Sequence, residues 1–385
     1  MNKIVLIFAL LCFTLTGFAQ EESDSEGTTL NLTPQTTFTF GGAVWVNYAN
    51  QAWVSPDQGR KRGLRFDNLR LSVDGTHGDH LLLSAQYRLY GYTRTVHHAW
   101  FGYKFNDKNQ LELGITQVPF GILPFATHSF WFGLGYYVGM EDDYDAGVKW
   151  HHTNKAWDLN LAFFYNEEYG DATSLDRYSV DLVRVGDQQN QEIAQGNLRL
   201  AYTFGKDTKQ SSEIGFSGEF GGVDNLTTAS TGYHWQAALH YSGWYGDLNP
   251  EFQISRYEYH PKNPEGVGDR LVLMGNLTSS RLVAAKGTLI NANIRHFWDV
   301  KWGPFTRFRA YYNYSGLVKD EKDFKNSQLH NPGCVLEAGP FWIWIDYLMG
   351  KNAWYLNDSS ENSGMGPGGT DKWEHRFNIS FEWYF

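Results

Sequence analysis

Beyond its first twenty residues, the chain alternates apolar and polar positions with a period of two, over and over, in stretches of about ten residues. Residues 36–50 place Phe38, Phe40, Val44, Val46 and Tyr48 on one face. Residues 80–92 set Leu81, Leu83, Ala85, Tyr87 and Leu89 against Ser84, Gln86, Arg88 and Tyr90. Residues 156–166 set Trp157, Leu159, Leu161, Phe163 and Tyr165 to one side. This is the period of a strand with one apolar face. In residues 63–75, Leu69, Leu71 and Val73 keep one parity and Leu64 and Phe66 keep the other, so a bulge is required near Asn68. Further segments of this kind occupy 95–105, 109–118, 143–152, 195–204, 210–222, 231–242, 246–257, 284–297, 303–315, 331–338, 341–350 and 371–385. The total is about sixteen, an even number. The 284–297 strand has a competitor in 270–275, which also alternates.

The links between these segments alternate in length. Short ones fall at 75–79, 106–108, 152–155, 205–209, 242–245, 298–302 and 339–340. Long ones fall at 51–62, 119–142, 167–194, 223–230, 258–283, 316–330 and 351–370, with 93–94 the short exception. Short turns at one end and long loops at the other are the pattern of a transmembrane β-barrel, whose strands need about 9–11 residues each. In lipid an unpaired backbone N–H or C=O costs several kcal/mol, so such a sheet must close on itself. The expected fold is therefore all-β, a closed antiparallel transmembrane β-barrel of about sixteen strands. Tyr48, Trp53, Trp100, Tyr103, Phe105 and Trp157 are placed in its interfacial aromatic girdles. At this width side chains do not fill the interior, and an aqueous channel for small polar solutes is implied.

Composition narrows the alternatives. The chain has 385 residues, 17% aromatic and 19% charged, with 40 Gly. No apolar run after the leader is long enough for a spanning helix. The aromatic content excludes disorder. A formal net charge of −10 argues against nucleic acid as a partner. Residues 1–19 read as a signal peptide: Lys3, an apolar core from Ile4 to Leu15, and small residues before a cleavage point after Ala19. Cys12 leaves with it and Cys334 remains alone, so no intramolecular disulfide is expected. Residues 20–35 are read as an N-terminal periplasmic segment, too short for a plug domain, and 36–385 as the barrel. At the other end Phe381, Trp383 and Phe385 alternate with Glu382 and Tyr384. A terminal aromatic on an alternating strand is similar to the signal that outer-membrane barrels present to the barrel-assembly machinery. The expected location is the outer membrane of a Gram-negative bacterium, with the lipid bilayer as partner.

Candidate pore residues follow from parity. Arg65, Arg70 and Arg88 fall on neighbouring strands two and three, and Arg376 on the last strand, which closure brings beside the first. They form a possible basic stripe on one side of the pore, with satisfaction by acids such as Asp67 as the plain alternative. The link 119–142 is too apolar to extend into water: it holds Phe130, Trp131, Phe132, Tyr136 and Tyr137 and ends in Glu141, Asp142 and Asp143. Long structureless loops are usually functional. This third long-loop segment is expected to fold inward as a constriction, its acidic end opposite the arginines and Trp131, Tyr136 and Tyr137 available to stack on sugars or simply to anchor it. Opposed charges in a narrow mouth make a strong transverse field.

Catalytic and metal motifs are weak. No Ser sits in a G-x-S-x-G setting, and His97-His98 and His151-His152 are adjacent strand residues, so one of each pair is expected to face inward. Glu141, Asp142, Asp143 and Asp145 supply oxygen ligands without the spacing of a calcium-binding helix-loop-helix. No enzyme activity, cofactor or metal is expected.

The sequence resembles the phosphate-selective porin O and P family of outer-membrane porins, as it occurs in Bacteroidetes. The residues that carry the likeness are Arg65-Phe66-Asp67-Asn68-Leu69-Arg70-Leu71 with Gly75, Gly114-Ile115-Thr116-Gln117-Val118-Pro119-Phe120-Gly121, Asp346-Tyr347-Leu348-Met349-Gly350-Lys351 and the terminal strand. The resemblance implies a sixteen-stranded channel, a homotrimer and an inward third loop. Phosphate-selective members carry basic residues in that loop. Here 119–142 has no Lys or Arg, so any anion preference rests on the wall arginines. The expected function is passive diffusion of small polar or charged solutes; the alternative is a specific channel for phosphate, other anions or saccharides.

Overall fold

The computed structural model describes residues 27–55, 57, 59–356 and 364–385. The leader expected at 1–19 lies outside them. The elements in chain order are β1 (Thr28–Thr33), β2 (Thr36–Gln51), β3 (Arg62–His77), β4 (Leu81–Tyr90), β5 (Arg94–Asn106), β6 (Asn109–Gln117), β7 (Tyr144–Asn154), β8 (Trp157–Glu167), β9 (Asp181–Leu182), β10 (Asn190–Phe204), β11 (Gln210–Asn225), β12 (Ser230–Tyr245), β13 (Leu248–His260), β14 (Leu271–Asn276), β15 (Ser279–Ala284), β16 (Lys286–Trp302), β17 (Phe305–Lys319), β18 (Ser327–Ala338), β19 (Phe341–Lys351) and β20 (Trp373–Tyr384).

Sixteen of these strands form the barrel. From β2 to β8, then β10 to β13, then β16 to β20, each pairs antiparallel with the next, and β20 pairs back with β2. Every segment read from the alternation is one of them. Many are longer than the hydrocarbon layer requires, so the strands run on past it. That is why the 223–230 link shrinks to 226–229 between β11 and β12. The barrel is apolar outside and polar inside. Phe101, Leu113, Phe220 and Leu239 are exposed, whereas Asn47, Ser217, Gln253, Asn291 and Asn378 are buried.

Register explains where parity shifts. Trp45 pairs with Asn68 and Val46 with Phe66, so Asp67 is the extra residue of a bulge, where the sequence required one. A second bulge was not legible. Gln86 pairs with His98 and Tyr87 with Val96, leaving His97 extra. The bulge turns His97 and His98 to the same side, where their Nδ1 atoms are 2.8 Å apart; the expectation that only one faces inward fails there. At the second dyad it holds: His151 meets inward Asp158 at 2.7 Å, while His152 bonds Asn109. Two girdle assignments also fail. Trp100 lies opposite Ser84, whose hydroxyl bonds Asp74 on the inner face, and Trp53 packs on the buried apolar cluster.

Residues 28–33, read as part of the segment ahead of the barrel, form β1, which pairs with β2 from Phe40 to Thr36. The β20 strand pairs with the same side of β2 from Ala43 to Gln51. The two therefore lie end to end along one strand. Between β13 and β16 the alternation at 270–275 is a strand as well: β14 and β15 form a hairpin that pairs with β9 in a small separate sheet. The principal apolar cluster belongs to the connections. It joins Leu134, Val138 and Met140 to Val180 and Leu182, to Val272, Met274 and Val283 of the hairpin, and to Leu356 and Met365.

Candidate functional site

The arginines come first. Arg70 and Arg88 are direct partners on β3 and β4. Arg376 on β20 lies opposite Gln51 of β2, and Arg65 lies opposite the buried Asn47. The bulge at Asp67 is what brings Arg65 and Arg70, five residues apart, to one face. All four thus lie on one arc of the inner wall. Most other wall cations are neutralised locally. Lys149 lies 2.9 Å from Glu112, Arg199 lies 3.1 Å from Asp158 and 2.5 Å from Glu213, and Arg309 lies 2.6 Å from Glu337. Among the described residues, Arg65, Arg70, Arg88 and Arg376 have no carboxylate oxygen within 4.0 Å. Asp67 spends a hydrogen bond on Asn68, at 2.7 Å, although it remains within electrostatic reach of Arg65, Arg70 and Arg376.

Three of the four lie over aromatic rings. The Arg70 guanidinium carbon is 3.4 Å from the Trp45 ring centre, that of Arg376 is 3.9 Å from Trp131, and that of Arg88 is 4.4 Å from Tyr178. Such cation–π contacts hold a desolvated guanidinium without neutralising it. Arg65 is exposed at the outer end of the stripe, next to Arg62 and Lys61.

The segment 118–143 supplies the opposite side. No residue of it is exposed. It leaves β6 and turns at Pro119-Phe120-Gly121. Gly121 has φ +61°, and a Cβ there would collide with Gln253 Oε1. Its backbone is then held by inward side chains of distant strands. Gly121 N–H donates to Ser217 Oγ (3.0 Å) and Ile122 N–H to Gln253 Oε1 (2.8 Å). Further on, His128 N–H donates to Asn313 Oδ1 (3.0 Å) and Leu134 N–H to Ser315 Oγ (2.9 Å). The Arg199 Nε and Asn293 Nδ2 groups donate to the carbonyls of Gly121 and Ala126. A loop with few polar side chains gains its hydrogen bonds from the wall, which is why it can be so apolar and still buried.

The six loop candidates separate. Trp131 lies against Arg376 and stacks on Tyr355 at 5.1 Å. Tyr136 stacks on Phe132 at 4.2 Å and donates to the Tyr178 carbonyl. Tyr137 packs on Tyr355 and lies 5.3 Å from the Arg281 guanidinium. The three acids do not act as one end. Glu141 accepts from Asn291 (2.5 Å) and Gln253 (3.3 Å), and burial pushes its carboxyl up to about 8 against the pull of Asn291. Asp142, with φ +50°, turns to accept from the Tyr178 and Tyr144 hydroxyls and lies in the field of Arg88 and Arg70. Burial raises its carboxyl, and Arg88 opposes that rise. Asp143 turns away from the arginines toward other acids. Burial, together with Glu192 and Glu168, holds it well above the usual carboxylate range.

Trp45, Tyr178, Tyr355 and Arg281 belong to this site, and sequence reasoning passed over them. Trp45 carried a signal: it is an aromatic on the polar parity of its strand. At the closure, Trp383 is exposed opposite Phe341 and Val44, Phe381 lies opposite Ile343 and Val46, and Phe385 exchanges two backbone hydrogen bonds with Gly42.

Residues 38–187, from β2 through the β9 segment, match the model of the phosphate-selective porin O and P family. The chain has the fold of an outer-membrane porin. Its fold is shared with solved barrels at low identity. The outer membrane channel DcaP of Acinetobacter baumannii gives a TM-score of 0.63 at 10% identity, over 92% of this chain and 99% of that one. The trimer form of OmpT of Vibrio cholerae gives 0.55 at 14%, over 91% and 100%. An anion-selective porin from Comamonas acidovorans gives 0.57 at 11%, over 91% and 100%. No curated protein sequence matches. The family match and the fold are those of a channel rather than an enzyme.

Proposed function

We propose that this porin is a passive outer-membrane channel whose narrowest part favours small anions over cations, with segment 118–143 as the constriction. The observation that carries the reading is the set Arg70, Arg88 and Arg376. They are stacked on rings, lack carboxylate partners and share one arc of wall. A fixed positive charge in a narrow, poorly solvated passage raises the local concentration of anions. Arg65, Arg62 and Lys61 extend the same sign to the outer mouth. Asp142, across from Arg88, limits the preference and adds a transverse field. A tight phosphate site is not favoured, because the loop brings no cation of its own to complete a cage. A saccharide slide is not favoured either: Trp131, Tyr136 and Tyr137 already spend ring surface on Arg376, Phe132 and Tyr355.

The trimer form of OmpT supports a homotrimer for this chain. Export by cleavage after Ala19 is part of the same proposal, and N-terminal sequencing of the mature protein checks it. The deciding experiment is a planar-bilayer measurement of conductance and reversal potential in a KCl gradient. Phosphate and then maltose-sized sugars are added as blockers. The expected result is ohmic steps, a reversal potential of anion-selective sign and weak blockade. A cation-selective sign overturns the anion reading, and sub-millimolar blockade by one solute replaces passive diffusion with a specific channel.

A further inference from the structure

Outside the arginine stripe, carboxylates collect where segment 118–143 ends. Oxygens of Asp143, Asp145 and Asp181 all lie within 4.8 Å of one another, and all three residues are buried. Two come from the start of β7 and the residue before it, and one from β9, nearly forty positions away. Glu168 lies in the field of the group, its Oε1 accepting from the Ser179 N–H at 2.7 Å. Ser179 also bonds Tyr144 in both directions, so the four acids share one scaffold.

The cations present do not balance them. Arg177 lies 3.1 Å from Asp181, 3.4 Å from Glu167 and 3.8 Å from Glu168. No described cation lies within 4.0 Å of Asp143 or Asp145. Glu192 and Glu219 add further negative field. An independent observation points to a missing ligand: Asp145 Oδ1, Glu168 Oε2 and Asp181 Oδ1 are buried and have no hydrogen-bond partner. Each of these residues is more than nine-tenths buried. Buried carboxylates are normally satisfied by donors, counter-ions or a metal.

We infer that Asp143, Asp145 and Asp181 form a site for one divalent cation such as calcium, with Glu168 adding negative charge beside it. The donors are all hard oxygens. A shell of buried protein carboxylates suits calcium, which accepts many oxygen ligands in flexible geometry, better than magnesium, which keeps several of its waters. The cation ties the end of the constriction segment to β9 and so to the small outer sheet. It supplies the charge that lets these acids stay buried and ionised. This inference stands apart from the anion preference, because its readout is binding and not current.

The test uses the full mature chain, refolded in detergent, freed of metal with a chelator and titrated with CaCl2 by calorimetry. One saturable site per chain is expected, with Mg²⁺ competing poorly. Asp145→Asn and Asp181→Asn should each weaken binding at least tenfold, while Asp323→Asn, on an exposed loop, leaves it unchanged. Limited proteolysis of the wild type with and without CaCl2 gives a second reading that needs no variant: calcium should protect the 168–189 segment. A wild type that takes up no calcium, or Asn variants that bind as well as it does, overturns the site. In that case the acids share protons instead.

Discussion

At the scale of single residues, the stacked arginines make a claim about sign and size. An ion passing about 4 Å from one guanidinium in water-like surroundings feels about 1 kcal/mol, roughly a fivefold preference. Arg88→Ala and Arg376→Ala should each lower the anion-to-cation permeability ratio by up to the square of that factor, since the same charge attracts the anion and repels the cation, as read from reversal potentials. Arg309→Ala should change it less, since Glu337 already neutralises that charge at 2.6 Å. Glu141 makes a claim about pH. Burial raises its carboxyl to about 8 in the docked segment, and Glu251 and Asp142 push the same way. A raised acid favours the docked state fully below the free carboxyl value of about 4.5, and that advantage declines as pH rises toward 8. Recordings should therefore show a steadier constriction at pH 5 than at pH 9. Glu141→Gln should flatten the difference, and a wild type equally steady at both values would sink the assignment.

At the scale of elements, segment 118–143 is held by five strands of wall, and, with that segment as the proposed constriction, deleting residues 126–140 should enlarge single-channel conductance. An unchanged conductance would mean that the segment does not narrow the pore. Gly121→Ala should loosen the same segment, because the new methyl meets Gln253 and the φ of +61° disfavours a side chain. Strands were the legible elements. Their period survives in any environment that is apolar on one side, and the Asp67 bulge announced itself through the swapped parity of Phe66 and Leu69. The His97 bulge was silent, because Val96 and Ala99 on either side of the His dyad fit both parities. The arginine stripe was legible through strand order and closure alone. Its ring partners were not. Tyr178 arrives from a loop ninety residues from Arg88, and Tyr355, stacked behind Trp131, from a separate link, and no local pattern encodes that meeting. The β14–β15 hairpin was visible as alternation but too short to be told from a stray strand, and the inner packing of the connections decides it.

At the scale of the whole molecule, closure joins the two ends of the barrel sequence. The β20 strand lies against β2, and Phe385 adds two backbone hydrogen bonds to Gly42. Removing Phe385 should weaken the seam by about 2 kcal/mol and lower the yield of heat-modifiable, membrane-inserted protein, checked on gels without prior boiling. Full yield from the truncated chain would show that the last aromatic is dispensable for assembly. The seam has a further property. The β2 strand is longer than the stretch β20 covers, and β1 continues along the same side from Phe40 to Thr36. Without β1, five residues of backbone donors and acceptors would stand open at one rim, a ready template for a strand from any neighbouring chain. The short leading strand acts as a built-in edge guard: it covers that stretch of β2 from within the molecule and leaves as the open edge only its own six residues, a far shorter template.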